Sequence, residues 1–192
     1  MTTHEHAHIA ERNTLGFWVY LMSDCVLFAG LFATYAVLWH ETFGGPGASE
    51  ILNVPFVLVE TIILLTSSFF AGLSLVAAQR KNKKAVVALL GATLLLGIAF
   101  LGMELFEFLG LIAQGNGPGR SAFLSAFFTL LGTHGLHVLL GSVWLVVLMA
   151  HIVREGLREA HVRKLALFSI FWHFLDLIWI FIFTFVYLFA AL

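Results

Sequence analysis

Five long apolar runs dominate the chain, at roughly 17–40, 56–79, 85–113, 122–152 and 165–190. Each reaches or exceeds the ~20 residues that a helix needs to cross a ~30 Å hydrocarbon core. In lipid every backbone N–H and C=O must be bonded within its own segment or around a closed barrel. None of the runs shows the two-residue alternation of barrel strands, so all five are expected as helices. A soluble domain of 192 residues could not hide a composition that is 60% hydrophobic and 11% charged. The expected fold class is all-α: a polytopic membrane protein built as a five-transmembrane-helix bundle. Residues 1–14 read as a polar cytoplasmic tail and residues 15–192 as the transmembrane domain.

The connectors carry the breakers that such spans need. Gly44-Gly45-Pro46-Gly47 separates spans one and two, and Gly115-Asn116-Gly117-Pro118-Gly119 separates spans three and four. Pro55 falls in the first turn of span two, where its missing N–H costs nothing. No internal repeat appears, which disfavours a transporter of duplicated halves. The first run is too long for a signal peptide and no small-residue cleavage site follows it, so it is expected to be retained. His4, His6 and His8 alternate with other residues in the tail; a disordered, solvated segment is preferred there over a metal-binding one. The single cysteine, Cys25, excludes a disulfide framework. The net charge of −1 singles out no partner, and no nucleic acid is expected.

Basic residues set the expected orientation. Arg12, the group Arg80, Lys81, Lys83 and Lys84, and the group Arg154, Arg158, Arg163 and Lys164 make nine of the ten positive charges. All nine fall on one side if the N-terminus is cytoplasmic, and only Arg120 falls on the other. Cytoplasmic loops carry this excess, so a cytoplasmic N-terminus and a periplasmic C-terminus are expected. The chain is therefore expected to cross its membrane five times in this orientation.

Polar side chains inside the spans cost free energy and are candidates for function. With a rise of ~1.5 Å per residue, Asp24 lies about 10 Å into span one from the cytoplasmic side. His134 and His137 lie near the middle of span four, and His173 and Asp176 near the middle of span five. Glu104 and Glu107 lie in the outer half of span three, and Glu60 lies shallowly in span two. Three pairs share the i, i+3 spacing that puts residues on one helix face: Glu104/Glu107, His134/His137 and His173/Asp176. At the inner end of span four, His151 and Arg154 are candidates for contact with a lipid headgroup.

Two kinds of chemistry fit these pairs. Carboxylates and imidazoles on three facing helices are the ligand types of a di-metal site, which would make the chain a stand-alone di-metal membrane enzyme. Against it, the Glu-x-x-His pairing of carboxylate bundles is missing, and the glutamates count a turn or two outward of the histidines. Haem ligation by His134, His137 or His173 would need room that Phe-rich spans do not offer. The preferred reading is an interhelical network in which buried imidazole and carboxyl groups satisfy one another, at about 0.6–2 kcal/mol per contact. Asp24 stands apart, because its own helix offers only Tyr20 and the turn at Phe28. It reads either as an acid bonded to a neighbouring helix or as a group near a proton path or subunit contact. Gly91, Gly97, Gly102, Gly132, Gly135 and Gly141 permit close helix approach, while span five carries a heavy aromatic load.

Four ordered motifs carry a family resemblance. They are Gly-Phe-Trp-Val-Tyr-Leu-Met-Ser-Asp-Cys-Val-Leu-Phe (16–28), Pro-Phe-Val-Leu-Val-Glu-Thr (55–61), Gly-Thr-His-Gly-Leu-His-Val (132–138) and Phe-Trp-His-Phe-Leu-Asp (171–176). From Leu15 onward the chain resembles subunit III of the haem-copper terminal oxidases, most closely that of the bacterial bo-type ubiquinol oxidases. The cytochrome c oxidase form has seven spans; in the quinol oxidase form the two leading helices belong to subunit I. The resemblance implies a non-catalytic subunit of a proton-pumping complex that oxidises ubiquinol and reduces oxygen. It implies no haem or copper in this chain, haems and copper in subunit I, contacts with subunits I, II and IV, and phospholipid held between helices. It also implies support of proton uptake, and Asp24 falls where the cytochrome c oxidase branch has a carbodiimide-reactive glutamate within Ser-Glu-Val-Leu-Phe. Glu60, Glu104, Glu107, His134, His137, His173 and Asp176 are expected as its intramembrane polar network. The alternative within the family is subunit III of a cytochrome c oxidase.

Overall fold

The computed structural model describes residues 3–45, 47 and 51–189. It contains five helices long and apolar enough to cross a membrane and, among the described residues, no strand. They are α1 (Thr3–Leu38), α2 (Val54–Gln79), α3 (Lys83–Ala113), α4 (Ala122–Glu155) and α5 (Glu159–Ile182). The chain continues past α5 as a wider π-helical stretch, Phe183–Leu188. Successive helices alternate in direction, so the α2–α3 and α4–α5 connections share one end, called here the basic end.

The helix boundaries follow from local chemistry. Asn53, Asn82 and Ser121 each cap a helix start, their side-chain oxygens accepting from Phe56, Ala85 and Leu124 N–H. Asn82 also helps to close α2: its N–H donates to the Ala77 carbonyl while Lys81 takes φ 56°. That is a Schellman end with lysine where glycine is usual. Gly115 (φ 79°) closes α3 in the same way, with Asn116 N–H on Leu111 O. Lys83 lays its chain along α4 and donates to the Val153 carbonyl at 2.8 Å.

Two boundaries differ from those read in the sequence. The fifth helix begins at Glu159, ahead of Arg163 and Lys164, because charged residues sit readily in a terminal turn that is already at the membrane edge. The first helix begins at Thr3, so the segment read as a disordered tail has helical backbone. No breaker separates it from span one, and adding residues to an existing helix avoids the cost of a new nucleus. The side chains of His4, His6 and His8 lie outside the described residues, as do Pro46 and Ala190.

Helices α2 to α5 form a closed four-helix packing, with α2 on α3, α3 on α4, and α5 against both α2 and α4. Trp172 and Trp179 on α5 are both fully enclosed. Glycines make room for them: a Cβ at Gly97 or Gly141 would meet the Trp172 ring at 3.0 or 2.9 Å. Helix α1 is applied from outside, chiefly on α4. It buries one narrow stripe, Leu21, Asp24, Phe28 and Tyr35, at the spacing of a single helix face.

Candidate functional site

The buried polar residues gather in four places. The first is the seam between α1 and α4. His137 Nδ1 lies 2.7 Å from the Thr133 carbonyl one turn back, so that nitrogen carries the proton and donates. The other nitrogen, Nε2, faces Asp24 Oδ1 at 3.6 Å. A neutral imidazole would then turn a lone pair toward a carboxylate. At 3.6 Å the two groups face each other across the seam without a hydrogen bond. Tyr20 faces the same carboxyl from one turn away in α1. Asp24 thus has a polar neighbour in its own helix, Tyr20, and a second in α4, His137.

The second place is a carboxyl group cluster away from the basic end. Glu60 of α2 and Glu104 and Glu107 of α3 lie within electrostatic reach of one another and of Tyr187. The Tyr187 hydroxyl donates to Glu107 Oε2 at 2.9 Å. Glu60 is fully enclosed, and among the described residues neither of its carboxyl oxygens has a hydrogen-bond partner. Glu104 rests its carboxyl on the backbone of α4 at Gly135, so close that a Cβ there would overlap it. This puts Glu104 level with His134, not a turn or two outward of it as counted along the sequence. The helices are offset along their axes, and sequence depth does not see that offset.

The third place is His134, enclosed by Phe28, Phe100 and Trp179 rings at centroid distances of 6.5, 5.7 and 5.1 Å. Its Nε2 donates to the Leu175 carbonyl of α5 at 3.2 Å. His137 is the imidazole that faces a carboxyl, whereas His134 uses a backbone acceptor.

The fourth place is the α2–α5 face. Asp176 is buried beside Ser68 of α2. His173 is exposed at the side of the bundle, with Nδ1 donating to Ser169 O at 2.7 Å and its ring against Gly72. The i, i+3 spacing expected to aim both inward leaves about 60° between them, enough to send one out. His151 and Arg154 are both exposed, and His151 Nδ1 donates to Val147 O.

Other polar contacts on this face were not anticipated. Trp172 donates to Ser67 Oγ at 3.1 Å, and Ser67 donates onward to the Thr93 carbonyl of α3. Trp179 donates to Thr61 Oγ1 at 3.0 Å. Two indoles seven residues apart in span five and two hydroxyls six apart in span two were the available signal. His161 is buried as well, with Nδ1 donating to Gly156 O at 2.9 Å. Among the described residues no three His, Cys, Asp or Glu side chains converge as a metal-ligand set.

Residues 2–191 match the family model described as cytochrome c oxidase subunit III. The chain belongs to the cytochrome c oxidase subunit III family. It is 56% identical over 190 residues to a cytochrome bo(3) ubiquinol oxidase subunit 3 of Pseudomonas aeruginosa, covering 98% of this chain and 91% of that one. Over 182 residues it is 47% identical to the corresponding subunit of Pseudomonas putida, covering 95% and 88%. It is also 44% identical over 178 residues to a cytochrome c oxidase subunit 3 of Bacillus sp. PS3, covering 93% and 86%.

Proposed function

We propose that the chain is subunit III of a proton-pumping ubiquinol oxidase, a multi-pass protein of a bacterial inner membrane. The observation that carries this reading is the 56% identity, over 98% of the chain, to a bo(3) ubiquinol oxidase subunit 3. The complex is an oxidoreductase that takes electrons from ubiquinol and reduces oxygen. This chain stabilises it and holds no catalytic centre of its own. Haems and copper sit in subunit I, and subunits I, II and IV with membrane phospholipids are its neighbours. The basic end faces the cytoplasm, as the positive-inside distribution of nine basic residues supports. There His151 and Arg154 are placed to meet lipid headgroups.

Asp24 and His137 are the residues assigned to proton handling. Asp24 faces His137 across the α1–α4 seam, and α1 presents most of its surface to the surroundings. The pair supports proton uptake by the complex without touching substrate.

A second reading, subunit III of a cytochrome c oxidase, is favoured by the 44% identity to the Bacillus protein. Oxygen consumption by the purified complex separates the two. Activity with ubiquinol and none with reduced cytochrome c supports the first, and the reverse pattern supports the second.

A further inference from the structure

A cavity of about 180 Å³ lies between α2 and α3 at the end of the bundle away from the basic end. Asn53 and Gln114, the exposed residues that cap the two helix ends, mark its mouth. Glu107, half-buried, forms part of its wall. That residue is six positions, about 9 Å, from the Ala113 end of α3. Two amides and a carboxyl give entering water the polar partners that a hydrated cavity needs.

Behind Glu107 the surroundings change. Glu60 of α2 is 0% exposed, and among the described residues neither of its carboxyl oxygens has a hydrogen-bond partner. Glu104 is 4% exposed, with Oε1 unbonded in the same way. Tyr187 faces Glu107 from the π-helical stretch and donates to its Oε2. Helix α4 presents His134, whose Nε2 is engaged with the Leu175 carbonyl. Among the described residues none of the three carboxyls forms an ion pair. Acid groups gathered in hydrocarbon without a cation cannot all be charged, so the cluster holds protons. Of the three carboxyls, Glu107 alone lines this cavity. We propose that Glu107 is a proton-exchange site, which takes its proton from the water at this end of the bundle and returns it there, while Glu60 is a closed acid behind it. The site is separate from the Asp24–His137 seam and does not depend on which electron donor the complex uses.

The test is infrared spectroscopy of the carboxylic acid C=O stretch in the purified intact complex, moved from water to deuterium oxide. Subtracting the spectra of Glu107→Gln and of Glu60→Gln from the parent isolates each carboxyl. The Glu107 band is expected to change with the pH of the medium and to shift promptly in deuterium oxide. The Glu60 band is expected to shift roughly a hundredfold more slowly, because an enclosed group exchanges only when the bundle opens locally. A third variant, Gly110→Leu, keeps every carboxyl and plugs the cavity. Gly110 lines it, and a Cβ there meets nothing within 4 Å, so the bundle accepts the side chain. It is expected to slow exchange at Glu107 by roughly tenfold. A Glu107 band that ignores the pH of the medium, or that exchanges no faster than that of Glu60, overturns the proposal. So does an unchanged exchange rate in Gly110→Leu, which decides the matter even where a glutamine variant fails to assemble.

Discussion

His137 presents Nε2 to Asp24 Oδ1 at 3.6 Å across the α1–α4 seam, while the Thr133 carbonyl fixes the proton on the opposite ring nitrogen. Asp24 Oδ2 has no hydrogen-bond partner among the described residues. An Asp24→Asn substitution preserves shape and removes the carboxyl group. The complex is expected to assemble while proton pumping, or the number of turnovers before inactivation, falls. Pumping and inactivation both unchanged would reduce the pair to a packing contact. In stability measurements the Asp24→Asn and His137→Gln effects are expected to be non-additive, with a coupling of about 1 kcal/mol.

Gly135 and Gly132 lie one turn apart on α4 but meet different surroundings. A Cβ at Gly135 would overlap the Glu104 carboxyl, whereas one at Gly132 would find only the Phe108 ring at 3.9 Å. Gly135→Ala is expected to destabilise the subunit by about 1–3 kcal/mol, the typical cost of overpacking. Gly132→Ala is expected to fall within about 0.5 kcal/mol of the parent. Detergent unfolding curves of the two variants provide the comparison, and equal losses would contradict it.

Tyr187 is fully enclosed and its hydroxyl donates to Glu107. Tyr187→Phe leaves that carboxyl oxygen unpaired and is expected to cost about 1–3 kcal/mol. Adding Glu107→Leu removes the unpaired group, so the double variant is expected to recover part of the loss. A double variant less stable than Tyr187→Phe alone would show that Glu107 has a further donor.

Trp172 and Ser67 join α5 to α2, and Ser67 passes the bond on to α3. Trp172→Phe and Ser67→Ala each break the first link. Each is expected to cost roughly 1 kcal/mol beyond the change in packing, with the pair together costing less than the sum. Strict additivity, read from thermal unfolding in detergent, would mean that the two groups are not coupled.

The five helices were legible because membrane length and apolarity are properties of each segment by itself. The cap residues Asn53, Asn82 and Ser121 and the Schellman ends also lie within a few residues of what they bond. What could not be read depends on how one helix is turned and offset against the next. His134 reaching the Leu175 carbonyl, Glu104 settling on Gly135 and Trp179 finding Thr61 each need the register of two helices distant in sequence. His173 shows the limit of spacing within one helix: an i, i+3 pair shares a side but not a direction, and the rest of the fold decides which member faces in. The family motifs located Asp24 and His137 as polar positions, and only packing made them a pair.

The most direct test of the central claim is to isolate the chain by an affinity tag from mildly solubilised membranes and assay the haem and ubiquinol oxidation that come with it. The account predicts a haem-bearing large subunit in stoichiometric amount, oxygen consumption driven by ubiquinol, and no haem or metal on this chain once it is separated. Recovery of the chain alone, with its own haem absorbance or a stoichiometric metal, would contradict it.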